Sequence, residues 1–375
     1  MLKHIKQLFL NVPGWHTNRK IIVIESDDWG SIRMPSRNVF EKFLKAGYPV
    51  NLNPFERYDS LASEQDLNAL FNVLSSNKNN NGVQPIITAN CVVANPDFDK
   101  IKEDNFEKYH FELITETFKK YPNHSKNFEL WHQAKNENLF FLQFHAREHL
   151  NVSKFMKALQ LKDRDVLFGF NYRMPGSIRK GNERNGNFFV EATNYINEID
   201  KAEKLEIYLD GLRIFEKLFG YKSESIIPPN YIWNKDYYEA VSQNGVRFIQ
   251  GISFNVDPVC KNKIMNFRYT GKLNTYNQLN LVRNCNFEPA ISNSTNPVID
   301  CLAEIELAFK MSKPAIINSH RINYVGFIDK TNRDRNLKYL SQLIKQIIKR
   351  WPDVEFMTTI ELGNLILNKN NSKLV

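Results

Sequence analysis

Two adjacent carboxylates, Asp27 and Asp28, follow the apolar run Ile21-Ile22-Val23-Ile24, and two histidines four residues apart, His145 and His149, follow the run Phe140-Phe141-Leu142. Two imidazoles and a carboxylate form the ligand set of a catalytic zinc site that keeps one position open for water. The remaining carboxylate is then available as a general base, and the combination points to metal-assisted hydrolysis. Spacing of i, i+4 puts both imidazoles on one face if the chain turns helical after the strand. Plainer readings stand beside this one. A pair of histidines so spaced can be one core and one surface residue, and Ser26 or Asp27 can cap a helix. Against the cap, Trp29-Gly30-Ser31 and Pro35 make a poor helix start. Ionised carboxylates next to an apolar run are costly unless paired or metal-bound.

The elements that must position these groups alternate along the chain. Short apolar runs at 21–25, 85–90, 139–144, 165–170, 223–227, 246–249, 314–318 and 354–357 read as strands. Amphipathic stretches at 63–74, 104–119, 153–161, 196–219, 235–244, 296–311 and 336–350 read as helices. Alternation of this kind argues for parallel βαβ units with right-handed crossovers. Seven or eight such strands imply an α/β fold, a distorted (β/α)7-8 TIM-like barrel with loop insertions. Asp27, Asp28, His145, His149, Asn230, Tyr231 and His320 each fall just after an apolar run, where a parallel barrel builds its active site.

The barrel is expected to be one domain over residues 1–375, with an amphipathic segment at 1–18 and an irregular, Asn-rich insertion at 260–293, a surface excursion with a small β-hairpin as the alternative. Residues 97–137 exceed one crossover helix and suggest a lid, and 368–372 a frayed tail. A hydrophobic content of 42% is that of a globular chain. Most of the 27 Phe and 15 Tyr belong in a core, with some to spare for stacking on sugar rings. The formal charge of +9 raises nucleic acid as a partner, but the basic residues are dispersed among acids, and no nucleic-acid signature is present. Acidic glycans or phosphorylated sugar carriers suit that charge equally well. The four cysteines have no metal or disulfide spacing. The N-terminal apolar run is too short for a signal peptide, and nothing reaches the length of a membrane span. The cytoplasm is the expected compartment, with weak membrane-surface contact through the N-terminal segment.

Several of these motifs together resemble one family. Ser26-Asp27-Asp28-Trp29-Gly30 resembles the Thr-Phe-Asp-Asp-Gly motif of the polysaccharide deacetylases, the NodB-type carbohydrate esterases. His145-Ala146-Arg147-Glu148-His149 is similar to that family's His-(Ser/Thr)-x-x-His, Ile227-Pro228-Pro229-Asn230-Tyr231 to its Arg-x-Pro-Tyr-like loop, and Ile316-Ile317-Asn318-Ser319-His320-Arg321 to its Leu-x-x-His motif. The resemblance implies a distorted, often seven-stranded barrel. It implies Asp28, His145 and His149 as ligands of zinc, or of another divalent metal such as cobalt or nickel. Asp27 would be the base and His320 the acid that protonates the leaving group. Trp29, Asn230, Tyr231 and Arg321 are the oxyanion and substrate-binding candidates, the Tyr231 N–H being the expected oxyanion donor. The implied reaction removes an acetyl group from an acetylated saccharide, nucleotide- or lipid-linked, in surface-polysaccharide biosynthesis.

The chain departs from the family pattern in three places. Ile227 stands where the arginine that orients the catalytic aspartate is usual, so Arg321 or Arg173 is expected to replace it. Ala146 replaces a Ser or Thr. The fourth motif has only Asp257 as a candidate. Two alternatives follow, a glycoside hydrolase on a related barrel and a carbohydrate-binding relative without catalysis.

Overall fold

In the computed structural model, residue 8 and residues 11–176, 180, 189–259 and 262–371 are described. Thirteen strands occur among them: β1 (Ile21–Trp29), β2 (Ile87–Val92), β3 (Ala94–Pro96), β4 (Phe111–Leu113), β5 (Phe140–Ala146), β6 (Ser225–Ile226), β7 (Phe248–Gly251), β8 (Phe254–Val259), β9 (Asn262–Phe267), β10 (Leu279–Val282), β11 (Cys285–Asn286), β12 (Ala315–His320) and β13 (Glu355–Met357). The main sheet runs β10-β7-β6-β5-β2-β1-β12-β11, with β13 added beside the start of β1. Its ladders are parallel.

The two ends of this sheet belong to one stretch of chain. Residues 279–282 bond to β7, and residues 285–286 bond to β12. The handover is continuous: the Arg283 N–H donates to Gly251 O at 2.8 Å, and the Asn284 N–H to Ile316 O at 3.1 Å. One strand-like segment that changes partner halfway therefore draws the sheet into a ring, the (β/α) architecture expected from the alternation of elements.

Side chains on β1 alternate between two apolar environments, as the two-residue period of a strand requires. Ile22 and Ile24 pack in the large cluster that includes Leu67, Leu70 and Phe215 of the surrounding helices. Ile21 and Val23 join Phe248, Leu279, Leu281 and Ile316 against Ile360, Leu362 and Ile366 of the last helix, Thr359–Asn371. That helix fills the barrel at the end where β1 begins. The opposite end, where the strands finish, is left for the polar residues.

Three expectations are corrected here. The apolar run at 165–170 lies in a helix, Arg164–Asn171, because Val166 and Phe170 sit one turn apart and bury a single helix face. The stretch 104–119 is no single helix: it contains β4, antiparallel to β3, and then the helix Ile114–Lys120. Residues 260–293 are no irregular excursion. They hold β9, paired with β8 as a hairpin, and then β10 and β11 of the ring. Of the expected segment at 1–18, residues 1–7 and 9–10 lie outside the described residues. Among the described residues no helix is long and apolar enough to cross a membrane.

Closure by the last helix depends on one close approach. A Cβ on Gly363 would meet the Phe248 ring at 2.3 Å, and Phe248 is fully buried. Gly363→Val is expected to lower stability by about 1–3 kcal/mol. Urea denaturation checks this, and an unchanged midpoint would show that the helix does not seat against β7.

Candidate metal centre and its cavity

Near its end, β1 loses register with β2 between Ser26 and Trp29. Asp28 sits there at φ 73°, the left-handed region that costs most residues energy but that Asp tolerates better than most. A bulge of this kind re-aims side chains. Asp27 keeps its place opposite His320 in the β1–β12 ladder, while Asp28 turns toward the end of β5. The two adjacent carboxylates thus enter different surroundings, both buried.

Asp28 Oδ1 lies 3.5 Å from His145 Nε2 and 3.3 Å from His149 Nε2. Among the described residues these three form the group whose ligand atoms converge within 4.8 Å of one another. Tetrahedral zinc with ligands at 2.0–2.1 Å requires neighbouring donor atoms ~3.3 Å apart, so the spacing fits. The tautomer fits as well. His145 Nδ1 is 2.7 Å from Ile227 O, so it carries the proton, and its Nε2 offers a lone pair. His149 is held neutral: burial pulls its pKa down to about 3, although Asp28 opposes this. Asp28 is held well below the usual carboxylate range, with burial overcome by the cations Arg33 and His320. A neutral imidazole at His149 and an ionised carboxylate at Asp28 are protonation states a divalent ion needs. Nδ1 of His149 is buried without a hydrogen-bond partner.

Asp27 is gripped by Arg283. Its guanidinium donates from Nη2 to Asp27 Oδ1 and from Nη1 to Oδ2, each at 2.7 Å, and from Nε to Glu25 Oε2 at 2.7 Å. Nη1 also reaches Asn318 Oδ1 at 2.6 Å. Asn90 Nδ2 adds a donor to Asp27 Oδ1 at 2.8 Å. Burial alone would raise the Asp27 pKa, but Arg283 outweighs it and lowers the value to about 2. Glu25, deeper in the barrel, moves the other way, because burial exceeds the help of Arg283.

On the far side, His320 Nδ1 lies 2.5 Å from Glu288 Oε1, and Asn323 Nδ2 holds Glu288 Oε2 at 2.7 Å. His320 Nε2 stands 3.7 Å from Asp27 Oδ2. Burial would discharge this histidine, yet Glu288 raises its pKa to about 9. The triad, Asp27, His320, Asn230 and Tyr231 line one cavity of about 570 Å³, together with Arg33 and Phe55.

Four sequence-based assignments are corrected. Trp29 does not line the cavity: it is buried, donates to Ser26 Oγ at 3.0 Å and packs edge-on against Phe140. Arg321 is fully buried on Asp59 and Ser31 O, and Arg173 pairs with Asp99 at the surface, so neither orients Asp27. The Tyr231 N–H donates to Pro228 O at 2.9 Å and is no oxyanion donor. The side chain of Asp257 lies outside the described residues. Arg283 and Glu288 were missed in the sequence: the first grips Asp27, and the second holds His320. The alternation Leu279, Leu281, Arg283, Cys285, Phe287 was the available signal for a strand there.

No family model and no curated protein matches the chain. Among solved structures it is similar to Puue allantoinase, at 10% identity over 93% of this chain and 91% of that one, with a TM-score of 0.46. It is similar to a peptidoglycan deacetylase from Bacillus subtilis, at 11% identity over 95% of both chains and a TM-score of 0.34. It is also similar to a 4-alpha-glucanotransferase from Thermococcus litoralis, at 9% identity over 94% of this chain, which spans only 40% of that enzyme, with a TM-score of 0.45.

Two predictions follow from these charges. Arg283→Met strands Asp27 and Glu25 as buried carboxylates and is expected to cost about 3–5 kcal/mol at neutral pH, read by urea denaturation. A loss below 1 kcal/mol would show that water reaches both acids. Glu56, buried with both oxygens unpartnered, has its pKa raised by burial to about 7. An acid whose folded pKa is raised costs nothing while protonated in both states and destabilises as pH climbs from 4.5 to 7. Between pH 4 and 8 Glu56→Gln should therefore gain on the parent chain by on the order of 3 kcal/mol. Parallel stability–pH curves would contradict this.

Proposed function

We propose that the protein is a metal-dependent hydrolase that removes an acetyl group from an acetylated saccharide, with zinc as the metal. The observation that carries this reading is the convergence in one cavity of the triad, a locked carboxylate and a charged histidine. A divalent ion held by Asp28, His145 and His149 would activate a water and polarise the acetyl carbonyl. Asp27 is ionised and fixed in orientation by Arg283, as a general base must be. His320, kept protonated by Glu288, can hand a proton from Nε2 to the departing amine or hydroxyl. The 3.7 Å between His320 Nε2 and Asp27 Oδ2 places donor and acceptor of protons within one substrate group of each other.

Glycoside hydrolysis would instead need a carboxylic acid kept protonated beside a second carboxylate. Asp27 and Asp28 are both held ionised, and the carboxyls with raised pKa, Glu25, Glu56 and Asp59, do not line the cavity. A binding relative without catalysis would have no use for so costly an arrangement as Asp27, Arg283 and Glu25 buried together.

Elemental analysis of the purified chain should show one divalent ion per molecule, absent from Asp28→Ala and His149→Ala. Acetate release from acetylated saccharides should fall by about 10²–10⁴-fold in Asp27→Asn and in His320→Gln. A well-folded chain that takes up neither zinc, cobalt nor nickel would sink the proposal.

A further inference from the structure

Arg33 is a cation on the cavity wall whose hydrogen bonds are not spent on the protein. Its side chain is 12% exposed, yet its approaches to carboxylates are long, 3.7 Å from Nη2 to Asp28 Oδ2 and 3.7 Å from Nε to Asp59 Oδ2. Nε is buried and has no hydrogen-bond partner. Of the neighbouring acids, Asp59 and Asp28 are committed elsewhere, while Glu56 feels the Arg33 charge without making a hydrogen bond to it. Asp59 accepts from Arg321 through both oxygens, at 3.0 and 2.9 Å, and Asp28 directs Oδ1 at the two histidines. Every other arginine at the core of this site is satisfied: Arg283 makes five side-chain hydrogen bonds, and Arg321 is bound to Asp59 and Ser31 O.

A guanidinium presents its donors as a planar fork matched to two oxygens of a carboxylate or a phosphate. Nε is closed off beside Asp59, so the donors a ligand in the cavity can take are the Nη groups, which make no hydrogen bond to the described residues. Its setting suits a sugar derivative. The Phe55 ring lies 5.8 Å from the Arg33 guanidinium and 5.9 Å from His320, so an apolar face adjoins both the fork and the proton-transfer group. Glu191 also lines the cavity, but Asn194 donates to its Oε2.

We propose that Arg33 and Phe55 form a subsite for an anionic group of the substrate, so that the acetylated saccharide taken by this cavity carries a phosphate or a carboxylate. This deepens the deacetylase reading and rests on the same cavity. It also names what the fork is for: two oxygens of the anion accept from Arg33 while the sugar face packs on Phe55, and the acetyl group is left toward the triad.

Titration calorimetry on the full chain, with and without added zinc, tests this by binding and not by turnover. The probes are N-acetylglucosamine, its 1-phosphate, N-acetylmuramic acid and inorganic phosphate. At least one anionic sugar should bind about 10–100-fold more tightly than neutral N-acetylglucosamine. The phosphate and carboxylate arms show which anion fits, and inorganic phosphate should compete with it. In Arg33→Met the ratio of anionic to neutral affinity should fall toward one. Arg33→Lys, which keeps the charge but loses the fork, should lower the ratio part of the way and stands in if the Met variant does not fold. A ratio near one in the parent chain, no measurable binding of any anionic probe, or a ratio unchanged by either substitution would overturn the subsite. Failure to release acetate, measured separately, would overturn the deacetylase reading while leaving this ratio intact.

Discussion

The structure hangs on one guanidinium. Arg283 lies at the point where a single segment stops bonding β7 and starts bonding β12, so the residue that draws the sheet into a ring also reaches its interior. There it must satisfy two buried acids, Glu25 and Asp27, from one side chain. Removing three charges from water is expensive, and attraction between them repays that cost only with good geometry and with every donor used. All three nitrogens of Arg283 are used, with Asn318 and Tyr231 taking further donations from Nη1. Thr359, at the start of the helix that fills the barrel, donates to Glu25 Oε1 at 2.7 Å. Ring closure, interior electrostatics and seating of the last helix are therefore one interlocked arrangement.

From that constraint the division of labour between two neighbouring residues follows. A regular strand would send Asp27 and Asp28 to opposite faces, one into the barrel and one among the helices. The bulge at the end of β1 spares Asp28 that fate and brings it to His145 and His149, at the expense of a left-handed backbone. Asp27 stays in the ladder and falls under Arg283. Backbone geometry alone gives the two their different surroundings, one beside two imidazoles and the other under a guanidinium, since the side chains are identical.

Much of this was legible in the chain. Strand ends followed by Asp, His and Asn can be read because apolar runs bury strands and polar residues collect where the strands stop. The cluster of Asp28, His145 and His149 needed only local spacing plus a barrel to bring the two segments together. Arg283 and Glu288 could not be read the same way. They sit in a stretch dense with Asn, where composition suggested loop, and β10 and β11 are short because the segment divides its bonding between two neighbours. Trp29 misled for the opposite reason: beside two adjacent carboxylates it reads as a substrate-binding residue, but its buried indole donates to Ser26 and stacks on Tyr324. Strand 165–170 failed because an apolar run of six has no period until its neighbours are known.

The cavity is also asymmetric in a way that bears on mechanism. Asp27 holds its charge above a pH of about 2, and His320 keeps its proton to about 9, each against the tendency of burial. The main causes differ: Arg283 acts on the first and Glu288 on the second, while each group also favours the other's charge. A base and an acid 3.7 Å apart would neutralise each other in an apolar site, by proton transfer, unless each had its own counter-charge. The two counter-charges prevent that collapse, so opposite protonation states persist across the same pH range. Arg283 and Glu288 come from either side of β11, five residues apart, so the strand that closes the ring is also what keeps the acid and the base distinct.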